Sequence, residues 1–333
     1  MKNNYYIISL LIIASVGIFS CREPIDITVP DTQKKIVLNG LINPDSTVKL
    51  NLSKSISILE KDDKITFLEN ADVKLYEDDI FKENLQYDIN GYYRGTVYPQ
   101  IGKTYKITAE YSPLDAVDAE TEILSAPIIS DINAEPIFYS EIQTWYDSET
   151  GEPFDTTINT LSQVKINITL SDPPNQTNYY LLTFSANLAQ YTQYPPDYEP
   201  IFIGYKMTNL YYDANNLNWE NHFYTRDLMG YVFCDNLFDG QNYSINASVY
   251  PDGYYSSGYT EGDNALDRIY VNLHAVTEDF YQYVISYSKY QETEGNPLAE
   301  PVNIRSNVNN GFGFFSGYST KTDSVMIDYS GDK

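Results

Sequence analysis

Most of the chain alternates between apolar and polar positions with a period of two, the pattern of half-buried β-strands. The first alternating run, Ile36–Ile42, contains Gly40 and is followed by a turn at residues 43–46. Further runs lie at residues 47–52, 71–77, 85–87, 92–98 and 104–111. About seven short strands, with turns about every 8 to 12 residues, predict an immunoglobulin-like or prealbumin-like β-sandwich over residues 35–126.

A second series of alternating runs follows a break at Pro127. These runs lie at residues 128–132, 163–170, 179–186, 243–250 and 269–276. Residues 139–155 are polar and aromatic, which predicts a loop or the tip of a long hairpin. The pattern therefore predicts a larger antiparallel β-sandwich domain over residues 127–333.

One segment in this second part has the period of a helix. Thr277 is a suitable N-cap, and the acidic Glu278 and Asp279 favour the positive end of a helix dipole. The apolar and aromatic positions that follow have i, i+3, i+4, i+7 spacing. We expect a helix near residues 278–291 that packs on the second sheet of an otherwise all-β protein.

The first residues have the pattern of an export signal, with Lys2 before an uncharged apolar run. The run has about 15 residues, fewer than the roughly 20 that a membrane-spanning helix needs. It ends in Ser20-Cys21, which looks like a bacterial lipobox. We predict a signal peptide over residues 1–20 and lipidation at Cys21, where two or more acyl chains give stable attachment. An ordinary secreted protein is the alternative.

Residues 21–34 are polar, contain Pro24 and Pro30, and are predicted to be a lipidated tether. The acidic Glu23 and Asp26 resemble a signal that directs lipoproteins to the cell exterior, although Arg22 departs from that pattern. The predicted location is therefore the outer membrane, with the protein facing the cell exterior.

The composition excludes several classes of function. The chain has 46 acidic and 21 basic residues, and its net charge of −25 makes nucleic acid a poor partner. The hydrophobic fraction of 42% and the 33 tyrosines indicate a folded protein rather than a disordered one. Cys21 and Cys234 are the only cysteines, so no disulfide framework or cysteine metal cluster is expected, and Cys234 is predicted to be a buried core residue.

The sequence carries no recognisable catalytic signature. Its two histidines, His222 and His274, lack the spacing of a zinc protease and are predicted to be structural. The acidic runs 62–63 and 77–79 are more typical of solvated turns than of calcium sites. We predict no enzymatic activity, no cofactor and no metal, while a hydrolase of unrecognised type would need a deep cleft with convergent carboxylates or histidine.

Tyrosines in loop-like segments are the remaining candidates for binding. Tyrosine presents an apolar ring and a hydroxyl group at low cost in conformational entropy, which suits protein, sugar or peptide contacts. The alternative is that tyrosine is simply the preferred surface residue of these β-strands. The candidate residues are Tyr191, Tyr194, Tyr198, Tyr211, Tyr212, Trp219, Tyr254, Tyr255 and Tyr259.

Several motifs resemble a known family in their order along the chain. They include the lipobox, the hairpin around residues 37–40, Asp172-Pro173, and the block at residues 307–315. This pattern is similar to the Bacteroidota outer-membrane lipoprotein family of the domain-of-unknown-function 4249 type. The resemblance implies an accessory role beside a TonB-dependent β-barrel transporter in nutrient capture. A free-standing surface lipoprotein that binds glycans or peptides is the alternative.

Overall fold

The computed structural model describes residues 33–57, 60, 64–146, 150–191, 202–214, 222–225, 229–250, 268–293, 296 and 299–327. The chain divides into two compact units. The larger unit comprises Lys34–Ser55 and Lys64–Lys333, and it contains every strand and helix named below. The smaller unit comprises Met1–Gln33 and Ile56–Asp63, and the predicted signal peptide, Cys21 and most of the tether fall in its undescribed part.

Nine short strands make up the N-terminal part of the larger unit. They are β1 (Ile36–Ile42), β2 (Lys49–Lys54), β3 (Thr66–Phe67), β4 (Asp72–Glu77), β5 (Ile80–Asn84), β6 (Gln86–Tyr87), β7 (Tyr92–Arg94), β8 (Thr104–Glu110) and β9 (Val117–Glu122). Strands β5, β4, β8 and β9 form a four-stranded sheet, and the others pair around β1 and β2. This part has the predicted strand-rich pattern.

The C-terminal part has longer strands and one described helix. They are β10 (Ile128–Tyr146), β11 (Pro153–Ser171), β12 (Tyr179–Tyr191), β13 (Phe202–Ala214), β14 (His222–Thr225), β15 (Gly230–Cys234), β16 (Asn242–Tyr250), β17 (Arg268–Val276), α1 (Glu278–Thr293) and β18 (Phe312–Met326). The main order across this sheet is β10-β11-β16-β13-β12-β17-β18. The all-β class and the helix beginning at Glu278 are confirmed.

Two separate apolar clusters stabilise these two parts. In the N-terminal part, Leu38 and Leu50 of one sheet pack with Leu75 and Ile107 of the other, which is the core of a sandwich. In the C-terminal part, side chains from both margins of the sheet join the same cluster, as Ile129 and Ile327 do. The C-terminal sheet therefore curls around its own core.

Helix α1 covers the outer face of the C-terminal sheet, as its apolar spacing predicted. Phe280 and Val284 of the helix pack against Leu181 and Val276 of β12 and β17. Thr277 caps the helix, since its Oγ1 accepts a hydrogen bond from the Phe280 N–H at 3.4 Å. Short-range sequence signals thus specify this element well.

Strand β18 joins the two parts of the molecule. Its first residues pair in parallel with β1, with Phe315 opposite Gly40, and its later residues pair antiparallel with β17. Phe315 belongs to the N-terminal core although it comes from the end of the chain. The boundary near residue 126 falls between β9 and β10 and stays a prediction, because β18 serves both parts.

Glycine is required where β18 approaches β1. Gly313 has φ +100°, and a Cβ there would lie 2.1 Å from the Leu38 carbonyl oxygen. Gly317 is equally close to the Glu122 carbonyl oxygen, at 2.1 Å, and its N–H donates to Thr121 Oγ1 at 2.8 Å. The glycines of the 307–317 block therefore have a structural role at this junction.

We expect Gly313→Ala to lower the free energy of unfolding by about 3 kcal/mol or more, from backbone strain and the clash with Leu38. Gly102→Ala is the matched control, because Gly102 has φ +77° but no atom within 4 Å of its added Cβ. That control should cost only about 1 kcal/mol. Urea unfolding of both variants checks the difference, and equal losses would contradict the proposed close approach.

Candidate functional site

Three pairs of consecutive strands end at the same end of the C-terminal sheet, which we call the distal end. The registers establish this direction, because Arg268 at the start of β17 pairs with Met326 at the end of β18. The strands on the other side of β12 run the same way through the pairs Tyr211–Tyr250 and Val164–Val249. The distal strand ends are Tyr146 and Pro153, Tyr191 and Phe202, and Tyr250 and Arg268.

The β10–β11 hairpin extends well beyond the described end of β16 at the distal end. Among the described strands, β16 pairs with β11 only from Val164 to Ser171. The rest of the hairpin, as far as Tyr146 and Pro153, is a two-stranded ribbon of roughly 30 Å at about 3.3 Å per residue. A two-stranded ribbon buries little surface by itself, so most of its described side chains remain accessible.

Exposed apolar side chains accompany this ribbon. Ile142 and Tyr146 are each 71% exposed, and their spacing along β10 places them on one face. Met207 on the β12–β13 hairpin, which lies beyond β16 in the sheet, is 53% exposed. Exposed apolar side chains that share one face, as Ile142 and Tyr146 do, are typical of a protein or ligand contact.

The distal end contains strand ends that flank two of the three predicted tyrosine segments. Tyr191 is the last residue of β12, while Tyr194 and Tyr198 follow it outside the described residues. The segment with Tyr254, Tyr255 and Tyr259 lies between β16 and β17 and is also outside them.

The third segment leaves the sheet in the opposite direction. Tyr211 belongs to β13, opposite Tyr250, and β13 continues to Ala214 away from the distal end. Trp219 lies outside the described residues. The structure therefore does not bring the flanks of all three segments together.

The prediction that Tyr211 and Tyr212 lie in a loop is wrong, because both belong to β13. Tyr212 is in β13 and fully buried, at the point where this strand leaves β12 and joins β16. Its hydroxyl group donates to the Leu182 carbonyl and accepts from the Tyr231 N–H at 3.0 Å. These bonds connect the Tyr212 side chain to β12 and β15 inside the core, so the ring presents no face to a ligand.

A cleft beside α1 is the second candidate site. Its volume is about 360 Å³, and the Tyr283 and Phe314 rings stack at 4.2 Å on its wall. The Asn307 amide on the same wall bonds both the N–H and the carbonyl of Phe315, at 2.9 and 2.8 Å. Asn307 also donates to Asp279 at 3.2 Å, so part of the polar lining holds α1 to β18. The lining residues are Glu278, Asp279, Gln282, Tyr283, Arg305, Ser306, Asn307 and Phe314.

Three carboxylates that the sequence analysis missed meet at the opposite end of the C-terminal sheet. Ligand oxygens of Asp172, Asp235 and Asp239 lie within 4.8 Å of one another, as in sites for hard cations. They follow separate strands, β11 and β15, so no local spacing reveals the cluster. Burial, together with the negative charges of Asp172 and Asp239, raises the pKa of the Asp235 carboxyl.

Hydrogen-bond donors of the protein already surround these carboxylates. Asp172 accepts from the Tyr180 hydroxyl at 2.5 Å and from the Gly240 N–H at 2.9 Å. Asp235 accepts from the Asn178 N–H at 2.7 Å and from its side-chain amide at 2.9 Å. These bonds join the β11–β12 and β15–β16 connections. The carboxylates therefore form a hydrogen-bond network that holds the two connections together.

The acidic run at residues 77–79 forms a hairpin turn. Asp78 and Asp79 have φ of 48° and 64°. Asp78 pairs with Lys103 at 2.6 Å, and this bond holds the pKa of the Asp78 carboxyl below its usual value. Glu77 binds Lys82 and the Tyr105 hydroxyl, both at 2.7 Å. The interpretation as a turn agrees with this geometry.

His274 and Cys234 are integrated into the folded body. His274 Nδ1 lies 2.8 Å from Thr320 Oγ1 and its Nε2 lies 3.2 Å from Thr183 Oγ1. Burial lowers the pKa of His274 to about 4. Cys234 is 6% exposed and packs near Tyr281, as a core cysteine should. The backbone of His222 lies in β14, but its side chain is outside the described ones.

Comparison with protein-family models gives a match over most of the chain. Residues 22–324 match the family model described as Domain of unknown function (DUF4249). A comparison with curated proteins finds no match. Within the described part of the chain, no helix combines the length and the apolar character required to cross a membrane.

We expect the stability contributed by His274 to depend on pH. Because burial keeps its native pKa near 4, the unfolded chain takes up a proton below about pH 6.5 more readily than the native protein does. Stability should therefore fall as the pH decreases from 6.5 to 4, by up to about 2 to 3 kcal/mol.

His274→Gln removes this contribution, so the free energy of unfolding should change less between pH 6.5 and pH 4. Denaturant unfolding at several pH values, each compared with pH 7.5, measures the two slopes. The same slope in the variant and the wild type would contradict the buried, neutral state of His274.

Proposed function

We infer a function for this chain from the premise that it belongs to the domain-of-unknown-function 4249 family, whose model spans residues 22–324. We propose that it is a non-enzymatic outer-membrane lipoprotein, anchored through Cys21, facing the cell exterior. In this role it is a binding partner of a TonB-dependent β-barrel transporter in nutrient capture. The lipobox at Ser20-Cys21 supports the anchor.

The separation between the tether and the distal end is the observation that carries the proposal. The tether joins the body at Lys34, beside the start of β1, where β18 also begins. From there β18 runs for 15 residues, roughly 50 Å at about 3.3 Å per residue, to Met326 at the distal end. If the chain is anchored through its tether, the hairpins at the distal end therefore lie far from the point at which the tether joins Lys34.

The chemistry of the distal end favours contact with another protein. Ile142, Tyr146 and Met207 are apolar or amphipathic, exposed, and lie on two long hairpins of the same sheet. Side chains of these types form the centres of protein interfaces. The alternative, a free-standing lipoprotein that binds glycans or peptides, rests on the tyrosines near the same strand ends.

Cys21→Ala is expected to move the protein from the membrane fraction to the soluble fraction, because it removes the acylated sulfur. Cys234→Ala is the control, since this buried cysteine has no part in anchoring and should leave the protein on the membrane. Immunoblots of fractionated cells measure the distribution. A Cys21→Ala protein that stays on the membrane would refute the anchor.

The transporter proposal predicts a large β-barrel protein in pull-downs from detergent-solubilised envelopes. The double variant Ile142→Asp, Tyr146→Asp should lower its recovery at least tenfold, because charged groups would enter an apolar interface. Thermal unfolding should be unchanged, since both side chains are 71% exposed.

Ile80→Asp, Tyr98→Asp is the matched control. These two side chains are 65% and 58% exposed but lie in the N-terminal part, so the transporter should be recovered as with the wild type. If the wild type recovers no transporter and is instead retained on a polysaccharide, the free-standing alternative replaces the proposal.

A further inference from the structure

The end of the body at which the tether joins has a continuous edge formed by four strands. Phe312 of β18 lies opposite Val37 of β1, Val37 opposite Ser53 of β2, and Ser53 opposite Phe67 of β3. The next row outward contains Ile36, Lys54 and Thr66. Adjacent strands lie about 4.8 Å apart, so the four strands of this edge span roughly 15 Å.

Lysines gather at this edge in a chain of strongly negative charge. Lys35 and Ser55 bond each other just beyond the row, and Lys54 lies within it. Lys64 directly precedes β3, and Lys34 is the first residue of the larger unit. The ammonium group of Lys35 lies 5.3 Å from the centre of the Phe312 ring.

Exposed apolar side chains lie between these lysines. Ile65 and Ile89 are each 61% exposed, and Phe312 is 49% exposed. Ile89 belongs to the turn before β7, which reaches the edge because the Leu52 N–H donates to the Gly91 carbonyl at 2.8 Å. We define the tether-side edge as Lys34, Lys35, Lys54, Lys64, Ile65, Ile89 and Phe312.

We propose that the tether-side edge binds an anionic lipid surface. Apolar side chains that enter the boundary between headgroups and acyl chains, flanked by lysines whose charges remain at the headgroups, are the elements of interfacial membrane binding. The covalent path supports this occupant, because the tether from Cys21 to Lys34 ends at this edge. A tether of this length reaches at most roughly 45 Å, so the lipid surface is always near.

The net charge of −25 does not prevent this contact. At physiological ionic strength the Debye length is about 8 Å, so only charges close to the headgroups act on them. The exposed carboxylates Glu69, Glu110 and Asp115 lie outside the rows in which β18, β1, β2 and β3 pair. Three other carboxylates nearby, Asp72, Asp88 and Asp118, are paired with Lys74, Arg94 and Lys106.

This inference deepens the proposed function and rests on its membrane location. A body that sits on lipid through the tether-side edge has a defined orientation, because β18 then points away from the membrane. Its distal hairpins are held roughly 50 Å above the lipid, following the 15 residues of β18 at about 3.3 Å each.

The test uses the mature chain from residue 21 with Cys21→Ser, so that no acyl chain contributes. Its co-sedimentation is measured with vesicles of mixed phosphatidylglycerol and phosphatidylcholine and with vesicles of phosphatidylcholine alone. We expect binding to the mixed vesicles that weakens as salt rises. Each lysine near an anionic surface contributes about fivefold, so Lys35→Glu, Lys54→Glu, Lys64→Glu should weaken binding by at least about a hundredfold.

Lys165→Glu, Lys289→Glu, Lys321→Glu is the matched control, because it changes the net charge equally at positions away from this edge. It should bind within a few-fold of the unsubstituted chain. The double variant Ile65→Asp, Ile89→Asp tests the apolar side chains of the tether-side edge without changing a lysine. It should also weaken vesicle binding about tenfold or more. Circular dichroism verifies that each variant is folded.

Three results would overturn the proposal. The first is equal binding to mixed vesicles and to phosphatidylcholine vesicles, and the second is an equal loss of vesicle binding in the two triple-lysine variants. The third is that the tether-side lysine variant loses a co-purified protein while its vesicle binding is unchanged. The first two exclude an anionic lipid site, and the third identifies a protein as the occupant. Mass spectrometry of native Cys21 tests the anchor separately, so failure of the anchor and failure of the lipid contact are distinguishable.

Discussion

The fold depends on a single strand, β18, whose first part pairs with β1 and whose second part pairs with β17. The parallel contact with β1 needs a very close approach, which Gly313 permits because any Cβ there would meet the Leu38 carbonyl. Phe315 then fills the N-terminal core from the far end of the chain. Asn307 binds both backbone groups of Phe315 and holds the segment before β18 against the helix. The sandwich, the curled sheet and α1 therefore meet at one strand.

The position of β18 also gives the molecule two unlike ends. At one end the strand begins beside Lys35, in the tether-side edge, which contains lysines and exposed apolar side chains. At the other end it finishes among long hairpins with exposed apolar side chains and few described partners. The first chemistry suits a charged lipid surface and the second suits a protein surface. The strand between them sets the distance that separates the two surfaces.

Local sequence patterns predicted much of this structure. Period-two alternation gave the all-β class, and Thr277 with the apolar spacing after it gave α1, because both signals come from residues close together in the chain. Contacts between residues far apart in the sequence could not be predicted from these local patterns. Tyr212 is buried where β13 changes partners, and neighbouring Tyr211 has the same residue type, so alternation could not assign the inward position. Asp172 and Asp235 meet through connections that follow different strands. The pairing of β1 with the last strand likewise has no local signal.

The joining of the first and last strands has a consequence for how the chain acquires its structure. Asn43 donates to the Tyr318 hydroxyl at 2.7 Å across a sequence separation of 275 residues, and Phe315 joins a core built from residues near the start of the described chain. Closing a loop of that length is slow, and contacts of high sequence separation delay folding. During synthesis, the N-terminal core therefore stays incomplete until nearly the whole polypeptide has been made. Until then, the apolar side chains that Phe315 covers in the folded protein stay exposed to water.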